Sequence, residues 1–121
     1  WEPHTPLQAA HWSHHYPSRA LLPMMGLVDL VARTDLSTID DPVLLLRDPE
    51  DGVVSGEATI RALSMLDPPA TEVLITSDDP DHHVIAGDAL SPGTTDTVAR
   101  TTLAWLSEQG FAPPVDTDSE E

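Results

Sequence analysis

Residues 42–54 read Pro42-Val43-Leu44-Leu45-Leu46-Arg47-Asp48-Pro49-Glu50-Asp51-Gly52-Val53-Val54. The apolar run 43–46 is unbroken and is bounded by turn-forming residues. Such a run suits a strand buried on both faces, as strands of parallel sheets are. Residues 47–54 follow as a turn-rich loop. Ser55 is then a natural N-cap, because its hydroxyl accepts an orphan N–H of the next turn, and Glu57 suits the positive end of the helix dipole. Ile60, Leu63 and Leu66 mark the inward face of that helix, which Asp67-Pro68-Pro69 stops.

Outward from this stretch the pattern alternates. Downstream, Val73-Leu74-Ile75 centres a second strand over 72–76, and a polar loop, 77–83, follows it. Thr94 or Thr95 opens a last helix with Val98, Ala99, Thr102, Leu103 and Leu106 inward, and Gly110 ends it. Upstream, Leu21, Met24, Met25, Val28, Val31 and Ala32 recur at helical spacing. Pro23 is tolerated only in a first turn, so this helix is predicted to start near Leu22. Residues 1–18 carry His, Pro and aromatic residues with weak periodicity.

The order helix, strand, helix, strand, helix predicts an α/β fold with two parallel strands and flanking helices. A strand–helix–strand unit is nearly always a right-handed crossover between parallel strands. Both following loops then leave the same edge of the sheet, where open α/β sheets place their sites. An acid in the first loop and a histidine in the second can meet there. Two strands do not make a stable parallel sheet. The sheet is therefore expected to be incomplete in this chain. Strands preceding Trp1 are expected to complete it, in keeping with a first residue that is not Met; the alternatives are self-association and a small independent fold. Residues 1–112 are read as the structured segment and 113–121 as an acidic disordered tail.

The 121 residues suit one domain, and 40% hydrophobic residues are too many for a wholly disordered chain. There are 21 Asp plus Glu against five Arg and no Lys, for a net charge of −16. That balance argues against nucleic acid or an anionic membrane as partner, since phosphate binding needs a basic patch. It fits a salt-rich cytoplasm or drift in an Arg-over-Lys, Ala-rich genome equally well. The absence of cysteine excludes a disulfide framework, a Cys-type zinc site and a thiol nucleophile. No apolar run approaches the ~20 residues of a membrane-spanning helix, and no charged-then-apolar leader opens the chain. The expected location is cytoplasmic, without stable membrane insertion.

Three stretches carry a resemblance: Ala20 through Val28 (ALLPMMGLV), Pro42 through Val54, and Asp81 through Thr95 (DHHVIAGDALSPGTT). Together they resemble the C-terminal third of an α/β-hydrolase of the esterase and monoglyceride-lipase-like kind, over residues 17–108. The resemblance implies that Asp51, before Gly52-Val53-Val54, is the triad acid. It implies that His83, before Val84-Ile85, is the triad base. Acid before histidine agrees with the family order of nucleophile, acid, histidine. None of the six glycines begins the G-x-S-x-G nucleophile elbow. That elbow and the oxyanion hole normally lie upstream of the region present here. The implied function is that of the C-terminal part of a serine hydrolase acting on small-molecule carboxylic esters. The implied mechanism uses no cofactor and no metal, and these residues alone are expected to be inactive. The alternative is a non-catalytic interaction or structural module derived from the same fold.

Other residues compete for these roles. Asp48 and Glu50 share the loop with Asp51, and a register error would favour Asp48. His82 adjoins His83 and is expected to face solvent or to brace the loop. Asp78, Asp79 and Asp81 read as a solvated acidic face that favours a charged histidine nearby. His11, His14 and His15 have the spacing of paired metal ligands on a helix, but they lack the H-E-x-x-H form and Pro17 limits any helix there. Their simpler reading is an aromatic-rich surface. Met24 and Met25 suit either an acyl pocket or helix core, and Trp105 suits packing.

Overall fold

A computed structural model of the chain describes residues 2–13, 15–67 and 69–111. The tail expected at 113–121 and the residues Trp1, His14 and Pro68 lie outside the described residues. The fold is an α/β mix built on two parallel strands, β1 (Leu44–Arg47) and β2 (Thr71–Leu74). Leu44 pairs with Thr71 and Arg47 with Leu74. The ladder extends by one bond at each end: Thr71 N–H donates to Val43 C=O and Ile75 N–H to Arg47 C=O, both at 2.9 Å. Arg47 Nε also donates across the strands to Glu72 Oε1 at 2.7 Å.

The crossover between the strands is α3 (Gly56–Leu63). Ser55 caps it, its Oγ accepting Ala58 N–H at 3.3 Å, and Glu57 lies in the first turn. Its half-buried face is Thr59, Ala62, Leu63 and, one turn on, Leu66, whereas Ile60 turns outward. The last helix, α4 (Thr95–Glu108), packs against β1. Its half-buried stripe is Val98, Thr101, Thr102, Trp105 and Leu106. The expected stripe is rotated slightly, so that Ala99 and Leu103 face solvent. Gly110 ends α4 at φ +87, with Gly110 N–H on Ser107 C=O and Phe111 N–H on Leu106 C=O. These two bonds make a Schellman motif, whose left-handed position is easiest for glycine.

Two helices precede the sheet. The short α1 (Pro6–His11) starts at Thr5, whose Oγ1 accepts Gln8 N–H at 3.1 Å, with Pro6 at the first helical position. A 3-10 turn (Ser18–Ala20) leads into α2 (Leu21–Ala32), and Pro23 falls in its first turn. The sequence spacing suggests one buried stripe on α2, but every described residue of this helix is exposed. Leu22 is 72% exposed and Leu27 and Leu30 are each 62% exposed. Asp29 is the one charged residue in a helix otherwise apolar on all sides. Helices of that composition are normally covered all round. The main contact of α2 is the 3-10 turn just before it.

The strands are likewise less covered than their composition implies. The residues of β1 are half-buried, and in β2 only Val73 is. Among the described residues Ile75 and Leu90 are the buried apolar side chains. The sheet is incomplete, and its faces and α2 carry apolar surface that the described residues do not cover. No helix among the described residues is long and apolar enough to cross a membrane.

Candidate functional site

Because β1 and β2 are parallel, the loops that follow them leave one edge of the sheet. Gly52 N–H donates to Asp81 C=O at 3.0 Å and ties the two loops together. A Cβ on Gly52 would lie 3.3 Å from that same carbonyl oxygen, so the close approach favours glycine there.

Asp51 and His83 meet at this junction. His83 Nδ1 lies 3.0 Å from Asp51 Oδ2. The other oxygen, Oδ1, accepts the N–H groups of Val53 and Val54, each at 2.8 Å. Burial pushes the Asp51 carboxyl up, but the bonds from His83, Val54 and Val53 and the histidine charge outweigh it and hold the group below the usual value. Asp51 is therefore a carboxylate at neutral pH and can only accept. The proton between the two residues sits on Nδ1, which leaves the Nε2 lone pair of neutral His83 free to take a proton. The His83 side chain is 42% exposed and that of Asp51 15% exposed.

A second acid–histidine pair lies beside the first. Asp48 is fully buried, and its Oδ2 accepts Ser77 N–H at 2.7 Å, Ser77 Oγ–H at 2.9 Å and His82 Nδ1–H at 3.0 Å. Its Oδ1 accepts Glu50 N–H at 2.9 Å. Burial pushes this carboxyl up, yet the donors win and hold it far below the usual carboxylate range. His82 in turn is raised, first by its bond to Asp48, against burial. His82 sits at φ +55, in the left-handed region, which costs a non-glycine residue about 1–2 kcal/mol. Its ring bond to Asp48 and its N–H bond to Asp79 C=O at 2.9 Å hold it there. Asp48 and His82, the competitors in sequence, thus form a brace, with the carboxylate buried and the ring half-buried.

Asp79 is not part of a solvated face. It is only 2% exposed, and its Oδ2 accepts His83 N–H at 3.0 Å and Val84 N–H at 2.8 Å. Its own N–H donates to Ser91 Oγ at 3.1 Å, and that hydroxyl donates on to Val84 C=O. Ser77, Asp79 and Ser91 are the site residues that sequence reading missed. A signal was present: Val73, Ile75, Ser77 and Asp79 are the inward set of one alternation that continues past β2 into the loop.

His83 also lines a cleft of about 730 Å³, whose far wall is the N-terminal segment with Gln8, Trp12 and Tyr16. That segment is pinned to the histidine loop by His4 Nε2 to Asp81 Oδ2 at 3.2 Å and by Thr5 Oγ1–H to Ala89 C=O at 2.7 Å. A smaller hollow of about 210 Å³ on the other side is lined by Asp51, His83 and β1 residues. Of the His11, His14 and His15 set, His14 lies outside the described residues, and His11 lines the larger cleft. Among the described residues no three His, Asp or Glu side chains are grouped to hold a metal ion. Met24 and Met25 are exposed on α2 and line neither cavity.

The arrangement supplies an oriented imidazole at the rim of an organic-sized cleft. It can take a proton from a hydroxyl brought to Nε2. Comparison with protein-family models, with curated proteins and with solved structures found no match.

Proposed function

We propose that these residues are the C-terminal part of an α/β-hydrolase-type serine hydrolase of the cytoplasm, cleaving carboxylic esters. The observation that carries this reading is the 3.0 Å contact of Asp51 Oδ2 with His83 Nδ1, at the edge where two parallel strands end. Asp51 fixes the ring and stabilises its charged form. His83 takes the proton of a serine hydroxyl as that oxygen attacks the ester carbonyl, and returns it to the departing alcohol. A water then repeats the cycle on the acyl-enzyme. The serine and the oxyanion donors come from the preceding part of the fold. That part also covers α2 and completes the sheet beside β1 and β2.

The experiment is to express the reading frame extended upstream of Trp1 and treat it with a serine-directed phosphonate. The expected result is labelling of one serine, lost in His83→Ala, with no labelling of the 121-residue chain by itself. An extended product that stays unlabelled and folded would overturn the hydrolase reading and favour a non-catalytic module.

A further inference from the structure

We infer that Trp12 and Tyr16 form the specificity-determining wall of the cleft and receive the uncharged, apolar end of the ester, an inference that rests on the hydrolase reading above. The two rings and His83 line the same cavity of about 730 Å³. That volume lies within the range of sites for small organic ligands. Val53, Val84 and Leu90 line it as well, so aromatic and aliphatic surfaces bound it on both sides. Trp12 is 42% exposed and Tyr16 56% exposed, leaving ring area for a ligand to cover. Large rings on short side chains gain much contact area for little lost freedom.

The charges that line the cleft decide what kind of ligand fits. Its carboxylates are Glu2, Asp81, which meets His4, and Asp79, which is buried on backbone N–H groups; His4, His11 and His83 line it too, and none of the five arginines does. A substrate carrying a carboxylate or phosphate would meet like charge without an arginine to pair with. An uncharged hydrocarbon end meets the rings. The wall is attached to the histidine loop, not to the sheet, through the His4–Asp81 and Thr5–Ala89 bonds. The aromatic side of the cleft and the acid–base pair therefore lie on different segments of the chain, joined by these two bonds.

The test uses the upstream-extended protein and a Trp12→Gln/Tyr16→Gln variant of it. Para-nitrophenyl octanoate, acetate and hemisuccinate are the substrates, and the rate of phosphonate labelling reports an intact triad. The octanoate-to-acetate ratio of kcat/KM should fall about tenfold in the variant, the scale of a lost apolar contact. Labelling should persist, and the hemisuccinate should be the poorest wild-type substrate. An unchanged ratio with labelling intact, or a hemisuccinate preferred to octanoate, would overturn the inference. A second readout needs no turnover: octyl glyceryl ether should shift the amide signals of Val84 and Leu90 in wild type, and not in the Tyr16→Gln single variant. If wild type is unlabelled the hydrolase reading fails, and the ether shifts then decide the wall alone. If the double variant loses labelling, the same shifts decide it.

Discussion

Asp79 holds His83 by its backbone, and Asp51 holds it by its ring. One oxygen of Asp79 accepts the N–H groups of His83 and Val84 at 3.0 and 2.8 Å, while Asp51 Oδ2 meets Nδ1 at 3.0 Å. Asp48 completes the set by holding the neighbouring ring of His82. Three carboxylates within reach of two adjacent histidines would repel one another if left bare. Each is instead surrounded by backbone N–H donors, which favour its ionised form and offset the cost of burial.

Removing Asp79 should therefore weaken the fold. Asp79→Ala strips partners from three backbone N–H groups, those of Asp81, His83 and Val84. Leaving buried donors unpaired costs about 1–3 kcal/mol each, and partial access to water reduces the sum to about 2–4 kcal/mol. Urea unfolding of the upstream-extended protein measures this. A loss below about 0.5 kcal/mol would show that Asp79 is replaceable by solvent.

Asp51 and Asp48 should separate function from stability. In the upstream-extended protein, on the proposed hydrolase reading, Asp51→Asn keeps a carbonyl for Val53 and Val54 but no longer forces the proton onto Nδ1. A wrong tautomer of this kind lowers kcat by about four powers of ten in serine proteases. Stability should change little. Asp48→Asn should do the reverse, since Asp48 is buried and accepts from Ser77, Glu50 and His82. Ester turnover and urea midpoints on both variants check the pair. Turnover that survives Asp51→Asn and collapses in Asp48→Asn, with the fold intact, would transfer the acid role to Asp48.

Much of this site is legible in the sequence, and what is not has physical causes. Ser55 caps α3 and Gly110 ends α4 because caps and left-handed positions depend on a few local atoms. The meeting of Asp51 and His83 follows from parallel strands, which a strand–helix–strand order dictates. The burial of Asp79 depends on an alternation running on past the last ladder bond, where a polar residue resembles loop. The α1 wall depends on contacts more than 70 residues apart in sequence, Thr5 to Ala89 and His4 to Asp81. Nothing local encodes them, and Thr5-Pro6 signals only that a helix begins. For α2, periodicity finds the helix but not its covered face, because apolar residues occupy all sides.

The Asp48–His82 brace should make stability depend on pH in a stated direction. His82 is raised above its ordinary 6.5, first by the bond to Asp48, with the charges of Asp48, Glu50 and Asp79 adding to it and burial opposing. Its contribution is complete below about pH 6.5 and is lost as pH rises through the higher folded value. Asp48 is lowered from 3.8, so its contribution is present above that value and is lost as pH falls through the folded one. The brace is strongest between these two ordinary values. The urea midpoint should be higher near pH 6 than near pH 9, and His82→Gln should flatten that difference. Equal slopes in wild type and variant would show that His82 makes no net contribution.

The bare surface of α2 makes the last prediction, and its sign reverses with context. Leu22, Leu27 and Leu30 are 72%, 62% and 62% exposed, on a helix whose one charge is Asp29. Apolar area of this extent on a soluble chain drives association. The 121-residue chain alone should sediment with a weight that rises with concentration. Replacing the three leucines by glutamate should suppress that rise, because charge on a solvated helix costs almost nothing. In the upstream-extended protein the same helix is proposed to be covered. Each leucine then contributes about 1.5–3 kcal/mol, and glutamate in its place adds the cost of a buried charge. The triple variant should therefore solubilise the short chain and unfold the long one. If it solubilises both, α2 is solvent-facing in the whole protein, and the proposed cover of this helix is wrong.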